Sequence, residues 1–161
     1  MSAESRLVGL ELLTLSRALE YFEKNKESIA EGLSLQMGKP KTQAVGEINT
    51  MIDRANTMFQ FAPRSLQDIV FDSVKNGERT LYKKIVKEPI GPVLILSPWN
   101  YPYICTINTL IPALLAGNSV LVKHSDRTSL CSNMFQRAFE FAGAPKNLVT
   151  VCRKDFSVFL T

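Results

Sequence analysis

Leu7, Leu10, Leu13 and Leu15 to Leu19 recur near the spacing of a helix, and Ile29, Leu33 and Leu35 to Met37 repeat the pattern. Gly38-Lys39-Pro40 then predicts a stop, with glycine for a left-handed cap and proline just beyond. A longer helix is predicted over 42–61, with Val45, Ile48, Ile52, Ala55, Met58 and Phe59 on one stripe and Ala62-Pro63 closing it. Long amphipathic helices of this kind predict scaffold rather than chemistry.

From 71 to 87 the texture changes. Asn76-Gly77 is a hairpin signal, and 80–86 alternates imperfectly, as a polar, edge-like strand does. Glu88-Pro89-Ile90-Gly91-Pro92 predicts a break, because two prolines cannot donate to a ladder. Beyond it the periods alternate. The apolar run Val93-Leu94-Ile95-Leu96 reads as a buried strand over 93–97, followed by a helix over 103–115 that Pro112 should kink. Gly117-Asn118 makes a tight turn into a second strand over 119–123. Thr128 caps a helix over 129–142 that Gly143 and Pro145 end, and a third strand covers 148–152. Short apolar strands separated by helices predict a parallel sheet with right-handed crossovers, half of a doubly wound nucleotide-binding domain. The fold class is therefore α/β: N-terminal helices plus an incomplete Rossmann-like parallel sheet. Neither GxGxxG nor a Walker loop is present, so dinucleotide binding has no phosphate fingerprint behind it.

Composition narrows this picture only a little. The chain of 161 residues is long enough for one domain with a core, and 45% hydrophobic with 21% charged residues is ordinary for a globular protein. The net charge of +4 is spread out; its densest cluster, Lys83, Lys84 and Lys87, is too short for a nucleic-acid tract and reads as a solvated strand face. Cys105, Cys131 and Cys152 have no CxxC spacing, which argues against a zinc site or disulfide framework and for a reducing interior. The start has no secretory signal pattern, and the apolar stretch 104–116 is broken by Asn108 and Pro112. A cytoplasmic protein without a membrane span is expected, a mitochondrial one being left open.

The candidate chemistry lies in Ser97-Pro98-Trp99-Asn100-Tyr101-Pro102, at the carboxyl end of the first strand, where open α/β sheets bind ligands. Asn100 has two readings: N-cap of the following helix, or donor to charge developing on a substrate oxygen. Trp99, the only tryptophan, is either core or a cleft wall. Lys123 is either a solvated strand end or a ligand donor. His124 has no histidine partner for metal or base chemistry. Cys105 falls within an apolar helix, where a thiol is not activated.

Four motifs in order and spacing change the weight of these readings. Glu88-Pro89-Ile90-Gly91, the Pro-Trp-Asn hexapeptide, Pro112-Ala113-Leu114-Leu115-Ala116-Gly117-Asn118 and Val120-Leu121-Val122-Lys123 together resemble the amino-terminal part of the NAD(P)-dependent aldehyde dehydrogenase superfamily. Met37-Gly38-Lys39-Pro40 with Gly46-Glu47-Ile48 resembles that family's helical lead-in, and within it the succinate-semialdehyde and fatty aldehyde branches look nearest. The resemblance implies an oxyanion-donating role for Asn100. It also implies a cofactor cleft lined by Ser97, Pro98, Trp99 and Asn100, with the adenosine ribose held by Lys123 and Asp126. His124 stands where proline is frequent, and Asp126 is one methylene shorter than the usual glutamate, which leaves NAD versus NADP open.

The resemblance divides the chain into a helical segment (1–70), a hairpin of the oligomerising type (71–88), a partial dinucleotide-binding βαβαβ unit (89–152) and a divergent tail (153–161). None of the three cysteines matches the family's nucleophile motif, and the stretch after 152 does not look like the pyrophosphate-binding turn. A truncated aldehyde dehydrogenase is therefore expected, oxidising aldehyde to acid in its parent form, with weak or absent cofactor binding and no turnover by itself. The competing expectation is an inactive form acting through homo-oligomers or full-length homologues.

Overall fold

The computed structural model describes residues 3–152; the expected tail 153–161 lies outside the described residues, as do the side chains of Leu7 and Leu10. Three helices come first: α1 (Ala3–Lys24), α2 (Lys26–Met37) and α3 (Lys41–Ser65). Gly38 closes α2 at φ +76°, its N–H on the Ser34 carbonyl at 2.8 Å, and Pro40 stands at the start of α3. Here the stop signal works as expected, since only glycine adopts this backbone without strain.

The end of α3 differs from the expectation. The helix passes through Pro63 to Ser65, because proline in the last turn costs only one hydrogen bond and α3 packs along much of the next helix. Its buried stripe is also rotated. Ala44, Glu47, Ile48, Met51 and Ala55 are buried, whereas Val45 and Ile52 are only half so.

A two-stranded antiparallel hairpin follows, β1 (Ile69–Asn76) and β2 (Arg79–Ile85). Its loop is Gly77-Glu78, with Gly77 at φ +62°. Every residue of both strands is exposed, so the hairpin stands off the core, and the lysines of β2 are solvated as expected.

The second half is β3 (Val93–Ser97), α4 (Pro102–Leu115), β4 (Val120–His124), a single 3-10 turn at Asp126–Thr128, α5 (Ser129–Phe141) and β5 (Val149–Val151). The strands form one parallel sheet in the order β3-β4-β5. Helix α4 continues through Pro112. Thr128 precedes α5 as expected, but its hydroxyl makes no capping bond and is buried without a partner among the described residues.

The expectation of a wholly buried first strand needs correction. Ile95 and Ser97 are buried, whereas Leu94 and Leu96 are 50% and 57% exposed. α4 and α5 both pack on β4, and the N-terminal helices pack on them in turn. One face of the sheet is thus covered and the face carrying Leu94 and Leu96 is not. An aromatic cluster of Phe22, Tyr103 and Phe135 joins α1, α4 and α5 in a single core.

The turn Gly117-Asn118 fixes how the chain enters the sheet. Gly117 is at φ +81°, and a Cβ there would lie 2.9 Å from Pro89 Cγ, so glycine is required. Asn118 is buried. Its Oδ1 accepts from Ile90 N at 2.7 Å and Gly91 N at 3.0 Å, while its Nδ2 donates to Ala113 O at 3.0 Å. No helix among the described residues is long and apolar enough to cross a membrane.

Candidate functional site

β3 and β4 end side by side, Ser97 opposite His124, so the chain leaves the sheet twice at one edge. Pro102, at N1 of α4, supplies a pre-set φ and lacks only an N–H that would have no helical partner. Ser97 Oγ donates to the Pro102 carbonyl at 3.1 Å. Thr106 Oγ1 lies 2.7 Å from the same carbonyl, 2.8 Å from Ser97 Oγ and 3.1 Å from His124 Nε2. This buried polar knot ties both strand ends to the first turn of α4. The Ser97 side chain serves the turn, and its carbonyl accepts from Ser125 N at 3.0 Å.

Burial holds the His124 imidazole at about 4, below its usual 6.5, with the Pro102 carbonyl opposing and the Lys123 charge adding to the effect. The ring stacks on Phe135, 5.8 Å between centroids, and its Nδ1 has no hydrogen-bond partner among the described residues. His124 is a neutral core residue.

Pro98, Trp99 and Asn100 are exposed beyond this knot. The N-cap of α4 is Tyr101, without a side-chain cap bond, so the capping reading of Asn100 falls away. Its amide makes no hydrogen bond to a described residue. Trp99 is 43% exposed, with the Arg127 guanidinium 5.0 Å from its ring centroid. Arg127 belongs to the turn that also carries Asp126, so residues from both strand ends share one rim.

Lys123 is not a solvated strand end. It is 3% exposed, and its Nζ donates to Asp126 Oδ1 at 2.7 Å and to the His124 carbonyl at 2.8 Å. The Asp126 side chain remains 67% exposed.

Two residues that carry no role in the sequence reading hold the exposed loop from behind. Glu47, on α3, has a fully buried side chain; its Oε1 accepts from Tyr103 N at 2.9 Å, in the first turn of α4. Its other oxygen pairs with Lys39 Nζ, which also donates to the Asn100 carbonyl at 2.9 Å and lies 4.0 Å from the Tyr101 ring centroid. A signal for this was present in the sequence: Glu47 is the one acid among Ala44, Ile48, Met51 and Ala55 on the buried stripe of α3.

The cysteines take no part. Burial pushes the Cys131 thiol up to about 12, with hydrogen bonds from Tyr103 and Gln36 only partly countering it; burial also raises Cys105. No cluster of metal-ligating side chains occurs among the described residues.

The sequence pattern of the aldehyde dehydrogenase family matches residues 12–159. The D-glyceraldehyde dehydrogenase (NADP(+)) of Picrophilus torridus is 34% identical over 139 residues, which cover 84% of this chain and 27% of that one. The solved succinate-semialdehyde dehydrogenase of Burkholderia pseudomallei superposes with a TM-score of 0.82 at 26% identity, over 94% of this chain and 30% of that one. The NAD-dependent benzaldehyde dehydrogenase of Corynebacterium glutamicum gives 0.80 at 26%, over 94% and 32%. The chain therefore spans less than a third of each relative's length. With the family pattern running through nearly the whole sequence and a relative 34% identical across 84% of it, the chain belongs to the aldehyde dehydrogenase family.

Proposed function

We propose that this chain supplies the oxyanion donor and part of the adenosine site of an NAD(P)-dependent aldehyde dehydrogenase. In that reaction a thiolate adds to an aldehyde carbonyl, and the oxygen gains a full negative charge as the carbon–sulfur bond forms. The carbon then loses hydride, leaving a thioester that water cleaves to the acid. A nicotinamide bound beside this chain would supply the hydride acceptor. The observation that carries the reading is the Asn100 amide, exposed at the carboxyl end of β3 and held there by a fixed loop. A preorganised amide donor aimed at the developing charge lowers the barrier because it needs no reorganisation. Lys123 and Asp126 support the cofactor half: the buried Lys123 ammonium holds the Asp126 carboxylate, whose mostly exposed side chain offers an acceptor to the vicinal hydroxyls of a ribose. Ser97, Pro98 and Trp99 form the wall, Ser97 through its backbone.

The test grafts residues 12–152 into the Picrophilus torridus relative in place of its matching segment. Asn100→Ala in that chimera is expected to lower kcat about 100- to 1,000-fold, the usual effect of losing one oxyanion donor. A kcat unchanged by the substitution would refute the reading. The 161-residue chain by itself is expected to produce no NAD(P)H from aldehydes, since Cys105 and Cys131 are both held as thiols and none of its three cysteines, Cys152 included, matches the family's nucleophile motif.

A second reading is favoured by the hairpin. Val70, Leu81 and Tyr82 are 75%, 57% and 81% exposed on a ribbon whose every residue is exposed. Isolated two-stranded ribbons are marginal in water, so the chain would gain from associating with copies of itself or with full-length homologues. Light scattering after size exclusion distinguishes this from a monomer.

A further inference from the structure

We propose that Lys39 and Glu47 are positioning residues for the Asn100 loop, so that the helical lead-in sets the geometry of the oxyanion donor; the inference rests on the proposed role of Asn100. The segment 98–100 belongs to no helix or strand, yet it must hold one amide in place. Lys39 is fixed between the left-handed cap at Gly38 and the α3 start at Pro40. Its side chain is 7% exposed, and its ammonium meets the Glu47 carboxylate, the Asn100 carbonyl and the face of Tyr101. Glu47 in turn holds Tyr103 N–H, one of the first-turn donors of α4 that the helix leaves unpaired. The pair therefore grips the loop on both sides of residue 101 by charge-assisted bonds, buried at Tyr103 N and at the surface at the Asn100 carbonyl. Pinning the carbonyl of residue 100 holds the peptide plane that follows its Cα, and so narrows the directions from which the amide can be presented.

The test uses the whole chain, read through its single tryptophan and through proton–nitrogen correlation spectra. In Lys39→Met, acrylamide quenching of Trp99 is expected to rise about two-fold, the step from 43% to full exposure as the loop opens. Resonances of 99–103 should shift while those of α1 and α5 stay. Lys39→Arg keeps the charge and the donors, and is expected to restore both signals. Unchanged quenching and resonances in a folded Lys39→Met overturn the proposal. So do shifts spread evenly through the core, or a Lys39→Arg protein as disturbed as Lys39→Met. Should Lys39→Met not fold, Glu47→Gln decides by the same signals, since it keeps an acceptor for Tyr103 N–H and removes the charge that holds Lys39. In the chimera, Lys39→Met is expected to lower kcat with the cofactor KM unchanged. A loop that moves, in a chimera whose kcat ignores Asn100→Ala, refutes the oxyanion reading and leaves the clamp. A loop that stays put refutes the clamp and leaves Asn100.

Discussion

Acidifying the protein puts the environment of His124 to a quantitative test. Its imidazole is 2% exposed, stacked on Phe135 and held neutral, with a folded-state value of about 4 against about 6.5 in the unfolded chain. Because the folded value is the lower one, the unfolded chain takes up the proton first as pH falls. The native state accordingly has its full stability above about pH 6.5 and loses it progressively toward about pH 4. At about 1.4 kcal/mol per pH unit, the gap between the two values is worth about 3 kcal/mol, most of it gone by about pH 4.5. Carboxylates also take up protons as the pH falls, so the assay needs a reference. Urea unfolding of the native chain and of His124→Leu, followed by Trp99 emission and circular dichroism at a series of pH values, provides it. Subtracting the two stability curves leaves the imidazole's contribution. A flat difference between about pH 6.5 and about pH 4.5 would mean that His124 is solvated in the fold, one of opposite slope that it is charge-paired, and either way the buried knot at the strand ends would be wrong.

Further expectations concern packing and association. Gly117→Ala places a Cβ against Pro89 Cγ at a positive φ and should cost roughly 1–3 kcal/mol in urea titration; an unchanged midpoint would show that the turn relaxes. Phe135→Ala empties the meeting point of α1, α4 and α5 and should cost roughly 3–5 kcal/mol, a loss below about 1 kcal/mol refuting its central place in the core. If the hairpin mediates association, Leu81→Lys with Tyr82→Lys should reduce the mass measured by light scattering while leaving helix content intact. An associated wild-type chain whose mass is unaffected by the pair would place the contact elsewhere.

What could be read before the structure depended on how local the signal was. Gly38 and Pro40 end one helix and begin the next because their backbone constraints act in any context, and the span of β3 followed from four apolar residues between a break and a turn. Which face of that strand is buried was not legible, since Leu94 and Ile95 are equally apolar and only the placement of the helices separates them. Pro63 misled for the same reason: its local penalty is small beside the packing of α3 on α4. At the site, the hexapeptide 97–102 stood out by composition. The roles of Lys39 and Glu47 did not, because contacts across 61 and 56 residues leave no periodic trace. Glu47 could be noticed as a charge on an apolar stripe, but its partner could not be named.

Asn118 acts as a latch between segments distant along the chain. One amide side chain receives Ile90 and Gly91 and grasps Ala113, so the strap of 88–92 and the final turn of α4 are tied through a single residue. Weakening that single amide would loosen the tether of the exposed ribbon while leaving the ribbon's own ladder untouched.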